Sequence, residues 1–304
     1  MADMKVKIAG VEFSNPIITA SGTYGFGKEY SNFFSLSELG GISCKGITLE
    51  ERQGNPPPRI AETPSGILNS VGLQNPGVDY FIEHDLPWLK TQDTVIIANI
   101  AGRTMEDYCT VAKKLDATNV DMIELNISCP NVKAGGVAFG VTPQGVEEIT
   151  TAVRAATKKP LIVKLTPNTA DISQTAKAAE NAGADAVSLI NTLTGMKIDI
   201  NTRRPVLRNN TGGLSGAAVL PVAVRMVWQA ANAVKIPVIG MGGICRWQDA
   251  VELMLAGACA LQIGTANFTD AYTPIKVRDG LEKYLDDNGY ASVGDIVGKV
   301  EVWE

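Results

Sequence analysis

Apolar residues in this chain gather into short, almost unbroken runs, and eight of them recur. They are PIITAS (16–21), GGISCK (40–45), TVIIAN (94–99), MIELN (122–126), PLIVKL (160–165), AVSLIN (186–191), PVIGMGG (237–243) and LQIGT (261–265). All but PLIVKL, which has Lys164 one residue from its end, close on Asn, Ser, Lys, Gly or Thr. The longer stretches between them place Ala, Leu and Val at helical spacing. A strand that is apolar on both sides suits a parallel sheet covered by helices, because neither face meets water.

The intervening helices carry their own punctuation. VTPQGVEEITTAVRAATKK offers Thr142 as N-cap, Pro143 at the first helical position and lysines in the last turn. DISQTAKAAENAGADAVSLIN starts on an Asp cap and stops at Gly183 before its strand. AGADAVSLI (182–190) and AGACALQIG (256–264) share one cadence of helix stop, glycine and strand, a weak echo of a repeated unit. Eight strand–helix units without a Pro/Ser-rich linker predict an α/β fold: a single (β/α)8 TIM barrel over residues 1–304. Long segments after strand 2 (46–75), strand 4 (127–141) and strand 6 (191–216) predict insertions at the C-terminal face, where such barrels keep their chemistry.

Composition narrows the function. The 304 residues are 45% hydrophobic, with a formal net charge of −5 and no basic cluster, which argues against nucleic acid as the main partner. The N-terminal MADMKVKIAGVEFSNP has scattered charges and no apolar run of leader or membrane-spanning length. Five cysteines, at 44, 109, 129, 245 and 259, form no C-x-x-C pair, so neither a disulfide framework nor a metal or iron–sulfur site in this chain is expected. A reduced cytoplasmic protein with a small-molecule ligand is the expectation.

Polar residues collect at the strand ends: Lys45, Asn99, Asn126, Lys164 and Asn191. A lysine ending an apolar barrel strand costs several kcal/mol unless it meets an anion or acceptors. Asparagines offer paired donors and acceptors that suit a flat heterocycle such as a flavin or a pyrimidine. The glycine turns GMGGI and IGTA, after strands 7 and 8, have the position of a barrel phosphate site. The single histidine, His84, falls in a helical stretch away from every strand end, which leaves no Cys–His or Ser–His hydrolytic set. No carboxylate pair stands at the strand ends, Glu124 lying inside strand 4. Cys129, in the turn after strand 4, is the best candidate for a general base, since a thiol titrates near pH 8.5 and nearby lysines lower that.

The strings SGTYGFG (21–27), KGIT (45–48), GNPPPRIAETPSGILNSVGLQNPG (54–77), ELNISCPNVKAGG (124–136), VKLTPN (163–168), NTLTGMKID (191–199), GGLSG (212–216) and GMGGI (240–244) resemble the flavin-dependent dihydroorotate dehydrogenases. The nearest likeness is to the soluble class 1B, whose catalytic subunit works with an iron–sulfur flavoprotein. The resemblance implies a barrel that holds FMN and oxidises dihydroorotate to orotate in pyrimidine synthesis, with Cys129 as base. It implies FMN contacts at Ser21, Lys45, Gly46, Asn99, Asn126, Lys164, Ile190, Gly216, Gly242, Gly243, Gly264 and Thr265. Substrate contacts are implied at Lys45, Asn69, Ser70, Val71, Gly72, Leu73, Asn126, Asn191 and Thr192. The glycine-rich VKAGGVAFG (132–140) is then expected to act as a lid.

FAD and a 2Fe-2S cluster are expected only in the partner, with two catalytic and two partner subunits around a catalytic homodimer and NAD+ as acceptor. The alternative within the family is the class 1A homodimer that reduces fumarate. A flavin-dependent tRNA dihydrouridine synthase is the more distant rival, and it would need a basic surface that this acidic chain does not offer. The quinone-reducing membrane class fits poorly, because it resembles Ser where Cys129 stands.

Overall fold

A computed structural model describes residues 1–128 and 139–303. Eight parallel strands close into a barrel: β1 (Ile17–Thr19), β2 (Gly41–Ser43), β3 (Val95–Ile100), β4 (Met122–Asn126), β5 (Leu161–Lys164), β6 (Ala186–Leu189), β7 (Val238–Met241) and β8 (Ala260–Ile263). Neighbours in the barrel are neighbours in sequence, and β8 pairs with β1 to complete the ring. All eight predicted runs are therefore barrel strands, each buried along almost its whole length because helices cover the outside and side chains fill the inside.

The predicted caps form as the side chains dictate. Thr142 accepts a hydrogen bond from the Gly145 amide at the start of helix Pro143–Ala156, and Asp171 accepts one from Ser173 at the start of helix Ile172–Asn181. The latter helix ends before Gly183, whose φ of 92° lies in the left-handed region open to glycine.

Inside the barrel, side chains stack in layers drawn from alternate strands. Ile18, Ile97, Ile162 and Ile239, from β1, β3, β5 and β7, form an apolar cluster with Met122, Ala186 and Ala260 of the even strands. An antiparallel hairpin, Val6–Ile8 with Val11–Phe13, closes this end by seating Ile8 and Phe13 against the same cluster. One residue pair further along the even strands the layer turns polar: Ser43, Glu124, Ser188 and Gln262, all fully buried. Above it, on the odd strands, come Ala20, Asn99, Lys164 and Met241. The barrel thus grades from a hydrocarbon plug to a polar floor beneath its C-terminal mouth.

The insertions after β2 and β6 meet over that mouth. Ile60–Thr63 and Gly66–Asn69 form a hairpin, and Gly66–Asn69 pairs with Gly212–Ser215, which pairs with Leu193–Gly195. This four-stranded antiparallel sheet is a feature the short, glycine-rich strands hide from pattern reading. Its close approach depends on Gly216, at φ 103°, where a Cβ would stand 2.7 Å from the Gly66 Cα. Most of the segment after strand 4 falls in residues 129–138, outside the described residues, and the predicted lid lies largely there.

Truncating the isoleucine layer tests the plug. Ile162→Ala is expected to cost about 2–5 kcal/mol of unfolding free energy in a denaturant titration. A loss below about 1 kcal/mol would contradict close packing there.

Candidate functional site

The layer sequence leads upward to a cleft of about 260 Å³ between the polar floor and the insertion sheet. From the ends of β1 and β2 come Ser21, Lys45 and Gly46; the stretch after the hairpin strand supplies Asn69, Ser70, Val71, Gly72 and Leu73. Asn126, Lys164, Ile190, Asn191 and Thr192 follow from β4, β5 and β6, and Gly216, Gly242, Gly243, Gly264 and Thr265 close the circle. Asn99 alone among the described candidates stands beneath the cleft rather than in its lining: it is fully buried, with Oδ1 about 3.1 Å from where a Gly46 Cβ would stand. Cys129 lies outside the described residues.

Hydrogen bonds set these side chains in place. The Asn126 amide oxygen accepts from the Ser128 amide at 3.2 Å and from Asn191 Nδ2 at 3.3 Å, while Tyr108 Oη donates to the Asn126 carbonyl at 2.9 Å. Asn191 Oδ1 in turn accepts from the Thr192 amide at 2.8 Å. Thr265 Oγ1 and Ser215 Oγ are bonded at 2.8 Å, tying the turn after β8 to the insertion sheet. The turn after β7 is built for backbone approach: Gly243 has φ 81°, and a Cβ there would stand 2.7 Å from the Leu220 backbone nitrogen at the start of helix Leu220–Ala233.

Sequence reasoning missed two groups. Asn168 clasps the strand end from behind, donating to the Thr192 carbonyl at 3.0 Å and accepting from the Thr194 amide at 3.0 Å. Glu124 is the other. Dismissed as a residue inside a strand, it sits on the barrel axis and accepts four hydrogen bonds of 2.7 Å, from Ser43 Oγ, Asn99 Nδ2, Ser188 Oγ and Gln262 Nε2. Burial alone would push its carboxyl up. The Lys164 ammonium and the bonds from Ser43, Ser188 and Asn99 outweigh that and hold it below the usual carboxylate range. A polar residue amid apolar neighbours on one strand was the available signal.

The cleft suits a flat phosphorylated heterocycle. Two buried amide oxygens of the floor, Asn99 Oδ1 and Gln262 Oε1, have no hydrogen-bond partner, and Gln262, like Lys164, lines the cleft. Buried acceptors without donors are costly, so a ligand carrying an N–H is the natural complement. Hydrolytic chemistry finds no support: His84 is exposed against the Tyr80 ring and lines no part of the cleft. No group of three or more His, Cys, Asp or Glu among the described residues could hold a metal ion. The four described cysteines are poor bases, burial being the main cause that pushes each thiol up, Cys259 to about 11. No helix among the described residues is long and apolar enough to cross a membrane.

Comparison with known proteins agrees with this architecture. The dihydroorotate dehydrogenase family pattern matches residues 3–285. A protein of Bacteroides thetaiotaomicron named dihydroorotate dehydrogenase B (NAD(+)), catalytic subunit, is 57% identical over 303 residues, covering 99% of this chain and 100% of its own. Proteins of the same name from Alkaliphilus oremlandii and Thermoanaerobacter pseudethanolicus are 56% and 53% identical, each aligned over 99% of its own length and 98% and 99% of this chain. The chain belongs to the dihydroorotate dehydrogenase family and is an oxidoreductase.

The Asn168 clasp yields a direct expectation. Asn168→Ala frees the Thr192–Thr194 segment, and losing about 1–2 kcal/mol of hydrogen bonding raises the apparent KM about tenfold in steady-state kinetics. An unchanged KM would contradict the clasp.

Proposed function

We propose that this chain is the FMN-holding catalytic subunit of an NAD+-linked dihydroorotate dehydrogenase, one barrel domain that oxidises (S)-dihydroorotate to orotate for pyrimidine synthesis in the cytoplasm. The observation that carries the reading is the convergence of Lys45, Asn69, Asn126, Lys164 and Asn191 on one cleft closed by glycine turns, in a chain more than half identical to full-length relatives of that name.

In this reading Gly216, Gly242, Gly243, Gly264 and Thr265 hold the FMN phosphate through backbone amides. Ser21, Gly46, Asn99, Asn126, Lys164 and Ile190 surround the ring system. Bound FMN supplies the hydride acceptor. The rest falls to the chain. Lys45 and the amides of Asn69, Asn126 and Asn191 orient the flat substrate, with Ser70 to Leu73 and Thr192 completing its walls. Cys129, as thiolate, takes the proton from C5 while the hydride leaves C6, so the ring gains its double bond and no atom is left unaccounted for. Lys164 offers a buried positive charge where negative charge accumulates with the hydride; it is 5% exposed and makes no ion pair within 4 Å among the described residues.

In this reading the electron acceptor would be a partner subunit that carries FAD and a 2Fe-2S cluster, in an assembly of two catalytic and two partner subunits around a catalytic homodimer.

Three outcomes check the reading. Cys129→Ala retains yellow FMN and loses dihydroorotate oxidation by at least a thousandfold; near-normal turnover contradicts the base. Lys164→Ala loses FMN on gel filtration, and full flavin content contradicts its place. The chain alone does not reduce NAD+, whereas addition of the iron–sulfur subunit restores that activity; NAD+ reduction without it overturns the division of labour.

A further inference from the structure

Glu124 does not line the cleft and has no part of its own in the proposed reaction, yet the floor is organised around it. An ionised carboxylate only accepts hydrogen bonds. Its two oxygens each take one hydroxyl and one amide: Oε2 from Ser43 and Asn99, Oε1 from Ser188 and Gln262, all at 2.7 Å. Both amides must therefore turn their nitrogens toward Glu124 and their oxygens away from it. Both of those oxygens are buried and left without donors, one beside Gly46 and one in a cleft-lining residue. Lys164 shares this floor, and its ammonium interacts electrostatically with the same carboxylate.

We propose that Glu124 is a positioning residue for the cofactor: by fixing Asn99 and Gln262 with their carbonyls outward and by opposing the Lys164 charge, it gives the cleft floor two acceptors around one cation. The pyrimidine edge of an isoalloxazine carries one N–H between two carbonyls, beside N1: an outward amide oxygen can accept from that N–H, and the Lys164 cation suits the N1 and carbonyl acceptors. Gln262 becomes a cofactor-facing acceptor, and the net charge beneath the ring is close to neutral rather than +1. The inference rests on the reading of the cleft as an FMN site.

The test uses Glu124→Gln, which preserves shape but turns one acceptor into a donor facing two donors, so one amide must flip. Titration of FMN into apoprotein, oxidised and then reduced without oxygen, gives two dissociation constants. Glu124→Gln is expected to weaken oxidised FMN ten- to hundredfold. Because the Lys164 charge is then unopposed, reduced FMN weakens about tenfold less, a shift in ratio that a purely structural role does not produce. Gln262→Met, which leaves Glu124 in place but removes the outward acceptor together with one of the four donors to the carboxylate, is expected to weaken oxidised FMN about tenfold, and it carries the test should the first variant not fold.

Folded variants that bind both forms within twofold of the wild type overturn the inference, as does a ratio that moves toward the oxidised form in Glu124→Gln. If the wild-type chain itself takes up no FMN, the functional reading fails and this inference with it. Wild-type binding matched by both variants sinks the inference alone.

Discussion

A carboxylate on the axis of a closed barrel is the constraint around which this structure is arranged. Moving an ion of that kind out of water costs several kcal/mol even after relaxation, and only complete hydrogen bonding with a nearby opposite charge offsets it. Glu124 has both: four 2.7 Å donors from β2, β3, β6 and β8, and the Lys164 ammonium of β5. Five neighbouring strands must hold their register for one side chain of β4 to be tolerated. A slip of one residue on any of them turns its donor outward.

Above that layer the sequence of constraints continues into the site. The polar floor forces two amide oxygens upward; the strand ends add Asn126 and Asn191, bonded to each other; the insertions after β2 and β6 pair into a sheet that roofs the cleft. Below it, the isoleucine layer and the hairpin plug exclude water, so the field of the buried charges is only weakly screened. Stability and chemistry therefore divide along the barrel axis: hydrocarbon at the N-terminal end, a hydrogen-bonded carboxylate in the middle, and ligand-facing groups at the mouth.

Much of this was legible in the residues. The eight strands declared themselves because each is buried on both faces, and the caps at Thr142 and Asp171 because their side chains bond the next amides. The cleft residues at the strand ends were found by the resemblance together with their polarity amid apolar neighbours, and apart from Asn99 the described ones line one cavity. The roof escaped notice, since strands of three or four residues such as Gly212–Ser215 carry no alternation to read. Glu124, Gln262 and Asn168 escaped for a different reason. Their importance lies in partners far away in sequence, and no local pattern encodes a contact such as the one between residues 124 and 262. Cys129, the proposed base, lies outside the described residues.

The most direct measurement is an anaerobic absorbance titration of the purified, cofactor-replete chain with dihydroorotate, followed by NAD+ and, separately, fumarate. The account predicts an oxidised-flavin band that dihydroorotate bleaches, that NAD+ does not restore without the iron–sulfur subunit, and that fumarate restores little. An absent flavin band, or one that dihydroorotate leaves unchanged, would contradict it.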